Sequence, residues 1–240
     1  MHNGHEYVDL GLPSGTKWAK MNVGANSETD YGNYFMWGST TPNTVNECTW
    51  ANAPFNNGSN TFNETYFNSV KDTVCPNGVL AKDYDAAAAN MGGDWHMPTK
   101  EQYIELFKET KNGFVTNAGA FTQFAWNDSN GYSTPTSTTA TISGWNTPGF
   151  LFFKNSYTSV TNAISAGDYL FIPAAGYCGG GEVYGVGVSG GVWASALDSE
   201  NVEYAWYFSF GNGRADVSVD LRYYGWSVRG VVGQMDEITV

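Results

Sequence analysis

Positive charge, cysteine and histidine are all scarce in this 240-residue chain, and each scarcity removes a class of function. Only 11 lysines and arginines stand against 23 acidic residues, giving a formal net charge of −12. Nucleic acid is thereby excluded as a partner, because phosphate binding needs clustered cations. Cys48, Cys75 and Cys178 form no CxxC pair, so neither a zinc knuckle nor a disulfide framework is signalled. A bridge between Cys48 and Cys75 and a set of buried free thiols are the open alternatives. No apolar run reaches the roughly 18 residues of a membrane-crossing helix, so no membrane insertion is expected. The opening MHNGHEYVDL lacks a signal-peptide core. That is expected of a protein placed without this export route, as a virus component would be, or of one whose leader has been trimmed.

Glycine is abundant at 29 residues and aromatics make up 16% of the chain, against 14% charged residues. This composition predicts many turns, short strands and large rings packed between loops. One domain over 1–240 is expected, long enough to bury a proper core. Residues 5–19 read as a hairpin around the Pro-Ser-Gly turn at 13–15. Residues 39–80, rich in Asn, Thr, Gly and Pro, read as a long ordered excursion over the surface. Helix is predicted at 84–90, ended by Gly92 and Gly93, and again after Thr99, where Gln102 completes a capping box. Tyr103, Leu106 and Phe107 share a face of that second helix. Residues 112–165 predict brief strands and long loops, and DYLFIPAAGY at 168–177 a buried strand running into a turn.

The segment 202–231 carries the clearest functional signal. Arg214, Asp216, Ser218, Asp220 and Arg222 alternate with Ala215, Val217, Val219 and Leu221, the period of a strand buried on one face. An ordinary wet strand shows the same alternation, since antiparallel sheets commonly face water on one side. Here the free face is flanked by Tyr204, Tyr207 and Ser209 before it and by Tyr223 and Tyr224 after it, residues that suit recognition better than catalysis. Tyrosine gives large amphipathic contact area at low entropy cost, and arginine adds fork-shaped hydrogen bonding.

The ordered segments HEYVDLGLPSGTKWA, YGNYFMWGST, NMGGDWHMPTKEQYIEL, FIPAAGY, VWASA, AWYFSF and GWSVRGV resemble the Fibrobacter succinogenes major paralogous domain family of Bacteroides-type gut bacteria and their phages. The resemblance implies an α+β, C-type lectin-like fold with two helices, small antiparallel sheets and long irregular loops. The C-terminus is similar to the variable proteins of diversity-generating retroelements, in which adenine-containing codons are rewritten. Tyr, Ser, Asp and Arg can arise from Asn codons in that way, whereas Trp cannot. The resemblance therefore implies a variable region over 192–231. Its display positions would be Tyr204, Tyr207, Ser209, Arg214, Asp216, Ser218, Asp220, Arg222, Tyr223 and Tyr224, with Trp193, Trp206 and Trp226 as fixed scaffold.

Three other chemistries have partial signals in the chain. Trp126, Asn127 and Asp128 spell the WND of calcium-dependent lectins, but no EPN or QPD precedes them, so no required metal is expected. Formylglycine-generating enzymes resemble the chain at MPTKEQYIEL, yet their paired reactive cysteines are not visible, because Cys178 stands far from Cys48 and Cys75. His2 and His5 sit near a terminus expected to be mobile, and a structural hydrogen bond is expected of His96. The glycines of 179–191 precede a strand rather than a helix, so they predict close backbone packing and not a phosphate loop, with Tyr184 placed to reach the display face. The expectation is a non-catalytic, cofactor-free binding protein that meets a protein or glycan on a bacterial or host cell surface. A phage tail comes first as its setting, with a surface lipoprotein or pilus-tip adhesin as the alternative, and self-association is left open. Replacing Tyr207, Tyr223 and Tyr224 by Ser is expected to leave the melting temperature nearly unchanged. Loss of Trp206 or Trp226 should cost about 3–5 kcal/mol.

Overall fold

Strand β1 (Tyr7–Val8) pairs antiparallel with β2 (Lys17–Ala19) across the 13–15 turn, as the pattern predicts. The computed structural model describes residues 1–233; the remainder of the 1–240 span lies outside the described residues. The N-terminus is tied down rather than loose. His2 and His5 set ring edges against Trp95 at 5.6 and 6.3 Å, and Trp95 Nε1 donates to the His2 carbonyl (3.1 Å).

The excursion at 39–80 is no simple surface loop, since it contains α1 (Glu64–Val74) and buries Cys48, Ala53, Asn56, Phe67 and Val74. Asn63 caps α1 by accepting from Tyr66 N (3.1 Å), and Phe67, Val70 and Val74 turn one apolar stripe inward. Asp85 caps α2 (Ala86–Met91) through Ala88 N (2.9 Å) and also accepts from Met97 N (2.8 Å). Gly92, at φ 66°, ends the helix. Thr99 and Gln102 form the predicted box at the start of α3 (Lys100–Glu109), which buries Tyr103, Leu106 and Phe107.

Strands β3 (Thr110–Val115), β4 (Ala120–Asn127), β5 (Tyr132–Thr141) and β6 (Gly149–Lys154) follow. After them come α4 (Val160–Ala166) and β7 (Tyr169–Pro173), then the hairpin of β8 (Tyr177–Gly179) and β9 (Glu182–Tyr184). The chain then runs through β10 (Ser189–Leu197), β11 (Tyr204–Gly211), β12 (Ala215–Leu221) and β13 (Val231–Val232). Eight strands form one antiparallel sheet in the order β10-β11-β12-β5-β4-β3-β6-β7, while β1, β2 and β13 make a three-stranded sheet. The fold is mixed helix and sheet, mostly sheet, and the four α-helices and eight-stranded sheet of the described residues replace the expected two helices and small sheets.

The large sheet curls until it almost closes. Gly176, just beyond β7, bridges Gly190 on β10, and its N–H donates to the Ser189 carbonyl (2.9 Å). Phe150 and Phe152 of β6 therefore meet Phe208 of β11 at 5.7 and 5.6 Å, and Phe107 of α3 fills the curl at 4.9–6.0 Å from Trp126, Phe150, Phe152 and Phe208. The outer face of β10 and β11 is covered by Phe35, Trp37, Phe67 and their neighbours, which pack against Trp193 and Ala205. Arg229 pins this layer: it is fully buried and donates to Asn22 Oδ1, the Ala19 carbonyl and the Phe171 carbonyl, each at 2.9 Å.

Candidate functional site

The register of β11 against β12 decides which of the expected display residues share a face. Tyr207 lies opposite Ser218, Ser209 opposite Asp216, and Ala205 opposite Asp220. These residues look away from the aromatic core, while Phe208 and Phe210, opposite Val217 and Ala215, look into it. The period-two reading of 214–222 thus holds in its parity. Exposure falls along the outer face, however, because the segment 20–97 covers its far end. Arg214 is open to solvent, with its guanidinium 4.1 Å over the Tyr132 ring and its Nε 2.7 Å from Asp216 Oδ2.

At the covered end, Arg222 is a correction. It is fully buried rather than displayed, and its Nε donates to the Val202 carbonyl (2.8 Å). The guanidinium lies 3.9 Å over the Phe67 ring, with Phe62, Trp37 and Trp50 at 5.2–5.9 Å. Its two terminal nitrogens have no hydrogen-bond partner among the described residues. Burial holds its pKa down to about 10. Tyr204 is the second correction. It shares parity with Trp206 and Phe208, so it stands on the opposite face of β11 from Tyr207. Trp206 packs against the core from its rim under Lys100 Nζ, 4.5 Å from the ring. Trp193 and Trp226 are buried.

Beside the β11–β12 face, rings from β8, β9, β11 and the segment after β12 stack in series. Tyr184 meets Tyr177 at 5.3 Å; Tyr177 stacks on Trp226 at 4.7 Å and meets Tyr224 at 5.1 Å. Trp226 meets Tyr207 at 5.0 Å, Tyr224 meets Tyr223 at 4.4 Å, and Tyr223 meets Trp50 at 5.0 Å. Glycine makes the series fit. A Cβ on Gly179 would sit 2.5 Å from Tyr224 Cδ1, and one on Gly191 would sit 2.6 Å from Trp226 Cε3 and 2.9 Å from Tyr207 Cδ2. Tyr184 thus joins the face as its position suggested. Tyr177, Tyr132 and Trp50 were missed, because they come from remote segments with no alternation to mark them. Tyr207, Tyr223 and Tyr224 are half-buried and packed, which overturns the expectation that replacing them together costs no stability.

The charges on this face are poorly solvated. Burial raises the Asp216 carboxyl above its ordinary value despite the pull of Arg214. Burial likewise raises Asp220, although Asp220 accepts from Leu221 N (2.9 Å) and Trp226 Nε1 (3.1 Å). Tyr207 is raised by burial, with Asp220 and Asp216 adding to it. An open groove of about 400 Å³ runs along the end of the face between Val188, Ser209, Phe210, Arg214 and Asp216.

The residues of the rejected chemistries are engaged elsewhere. Asp128 is held by Lys108 Nζ (2.7 Å) and Trp126 Nε1 (3.0 Å), and Asn127 Oδ1 accepts from Ser129 N (2.9 Å) in the β4–β5 turn. His96 Nδ1 lies 3.0 Å from the Asp94 carbonyl, the structural bond expected of it. Cys48 and Cys178 are disulfide-bonded across 130 residues, so neither the bridge between Cys48 and Cys75 nor a set of free thiols is what forms. Both sulfurs are fully buried. Cys75 is free, and burial pushes its thiol up to about 11, away from the thiolate a nucleophile needs. Compared with models of protein families, with curated proteins and with solved structures, the chain matches none.

Proposed function

We propose that the chain is a non-catalytic binding protein whose contact surface is the outer face of β11–β12 together with the Tyr184–Tyr177–Tyr224–Tyr223 rings. One observation carries this reading: Tyr207, Ser209, Asp216, Ser218 and Asp220 lie side by side on one half-open face, while their neighbours in sequence fill the core. Tyrosine, serine and aspartate on a rigid, ring-braced platform have the chemistry of a pre-ordered recognition surface. On the finer reading, the fold is a C-type lectin-like variant of the Fibrobacter succinogenes major paralogous domain family, and 192–231 is rewritten by a retroelement. Arg222 and Tyr204 then leave the contact set, while Tyr177 and Tyr184 enter it.

The test is binding of the protein to arrayed cell-surface proteins and glycans, compared with a Tyr184→Ser/Tyr224→Ser variant. Ligands lost in a variant that still melts cooperatively as a folded protein support the reading; ligands retained unchanged overturn it. A near-copy of the codons for 192–231, differing at adenines beside a reverse transcriptase gene, would establish diversification.

The disulfide bears on the setting. Such bonds persist in oxidising surroundings, virion and cell surfaces among them, and are rare in the cytosol, so the bond fits the phage tail that the sequence reading puts first and an exported adhesin or surface lipoprotein alike.

A further inference from the structure

We propose that the occupant of this face is a protein segment bearing arginine or lysine beside an apolar side chain, the basic groups seating on Asp216 and Asp220 against the tyrosine rings. The inference rests on the binding-face reading and names the partner class it leaves open.

Charge complementarity is the first support. Residues 177–226 contain six carboxylates, Glu182, Asp198, Glu200, Glu203, Asp216 and Asp220, against Arg214 and Arg222 and no lysine. Arg222 is buried, and Arg214 is spent on Asp216 and Tyr132. Among the described residues no cation pairs with Asp220, whose partners are two N–H groups. A neutral ligand such as an uncharged sugar would strip more water from a carboxylate that is already poorly solvated, at a cost its hydroxyls only partly repay. A guanidinium or ammonium gives Asp220 the counter-charge it lacks and adds to the one that Arg214 supplies to Asp216. The rings beside it present negative π-faces, which attract the same cation, and arginine's planar fork suits both contacts better than lysine's point charge.

The second support is apolar. Val183, Tyr184, Val186 and Val188 are the exposed large hydrophobics of the described residues apart from Met1, and all four come from the short segment 183–188 that carries Tyr184 of the Tyr184–Tyr177 pair. Val188 lines the groove with Ser209, Arg214 and Asp216, so exposed apolar surface adjoins the acidic face, which matches a peptide segment with an apolar side chain better than a glycan. Asp216 and Asp220 stand four residues apart on one strand, a span of roughly 13 Å that an extended segment reaches with two side chains.

The experiment is selection of a random displayed peptide library on the wild-type protein and, in parallel, on Tyr184→Ser/Tyr224→Ser. Peptides that require the rings are expected to be enriched in arginine over the input and depleted in acids. Their affinity should fall at least about tenfold in Asp216→Asn/Asp220→Asn, or when citrulline replaces arginine, as loss of a charge-assisted contact implies. A melting curve shows that the double-Asn protein is folded. Ring-dependent peptides without basic enrichment, or binding indifferent to citrulline, overturn this inference and leave the binding face standing. Failure to select any peptide while arrayed glycans bind in a ring-dependent way does the same. Peptides and glycans that bind wild type and ring variant alike overturn the binding-face reading itself.

Discussion

Two buried arginines show that burial alone does not define a side chain's role. Arg229 places three of its donors on three acceptors, whereas two Arg222 nitrogens face aromatic rings without an acceptor. Arg229→Met should cost about 3 kcal/mol or more, because it strands Asn22 Oδ1 and two carbonyls. Arg222→Met should fall within about 1 kcal/mol of wild type, since a well-packed apolar chain replaces a costly buried charge. Urea melts of the two variants check the contrast. Asp216 and Asp220 make a different case, because burial raises both carboxyls. Their stabilising contribution belongs to the protonated form; it is complete below the ordinary aspartate range and is lost as pH rises through the raised folded value. Asp216→Asn/Asp220→Asn is thus expected to hold or raise the melting temperature at neutral pH, with the advantage shrinking as pH falls through that value. A drop at neutral pH would mean that the Trp226 and Leu221 hydrogen bonds outweigh burial. At this scale the sequence showed parity but not coverage. It put Arg222 on the same face as Asp216 correctly, yet the segment that buries it lies more than a hundred residues earlier.

Elements were legible where their signals are local. The α3 box needs only Thr99 and Gln102, and both hydrogen bonds form, so Thr99→Ala should cost about 1 kcal/mol in thermal melts. The hairpin of β1 and β2, the alanine-rich α2 and the wholly buried β7 were likewise readable from turn, glycine stop and apolar run. Helix α1 was not, although Phe67, Val70 and Val74 carry its stripe, because asparagine and threonine around it mimic loop composition. Strands β4 and β5 were underestimated for a geometric reason. Irregularities between Phe121 and Thr122 and between Gln123 and Phe124 shift the pairing, so apolar residues do not alternate strictly in sequence. Extent and order of the sheet depend on such long-range pairing, which no local window contains.

At the scale of the whole molecule, the disulfide connects the scaffold to the proposed contact face. Cys178 and Gly225 exchange two backbone hydrogen bonds at 2.9 Å, and Gly180 N donates to the Cys48 carbonyl (2.9 Å). The bond thus ties the segment around Cys48, the β8–β9 hairpin and the Tyr223–Trp226 turn into one unit, the unit that presents the rings. Pairing across 130 residues restricts the unfolded chain strongly. Cys48→Ala/Cys178→Ala should therefore lose about 2–4 kcal/mol of unfolding free energy. The loss of order should be local before it is global. The amides of Cys178, Gly180 and Gly225 are expected to exchange faster by hydrogen–deuterium exchange while those of β6 and β7 stay protected. Ligand affinity should weaken with them, because rings that must be ordered on binding add an entropic cost that the bridged protein has already met. Unchanged exchange at Gly225 would detach the bond from the face and leave it a purely global brace.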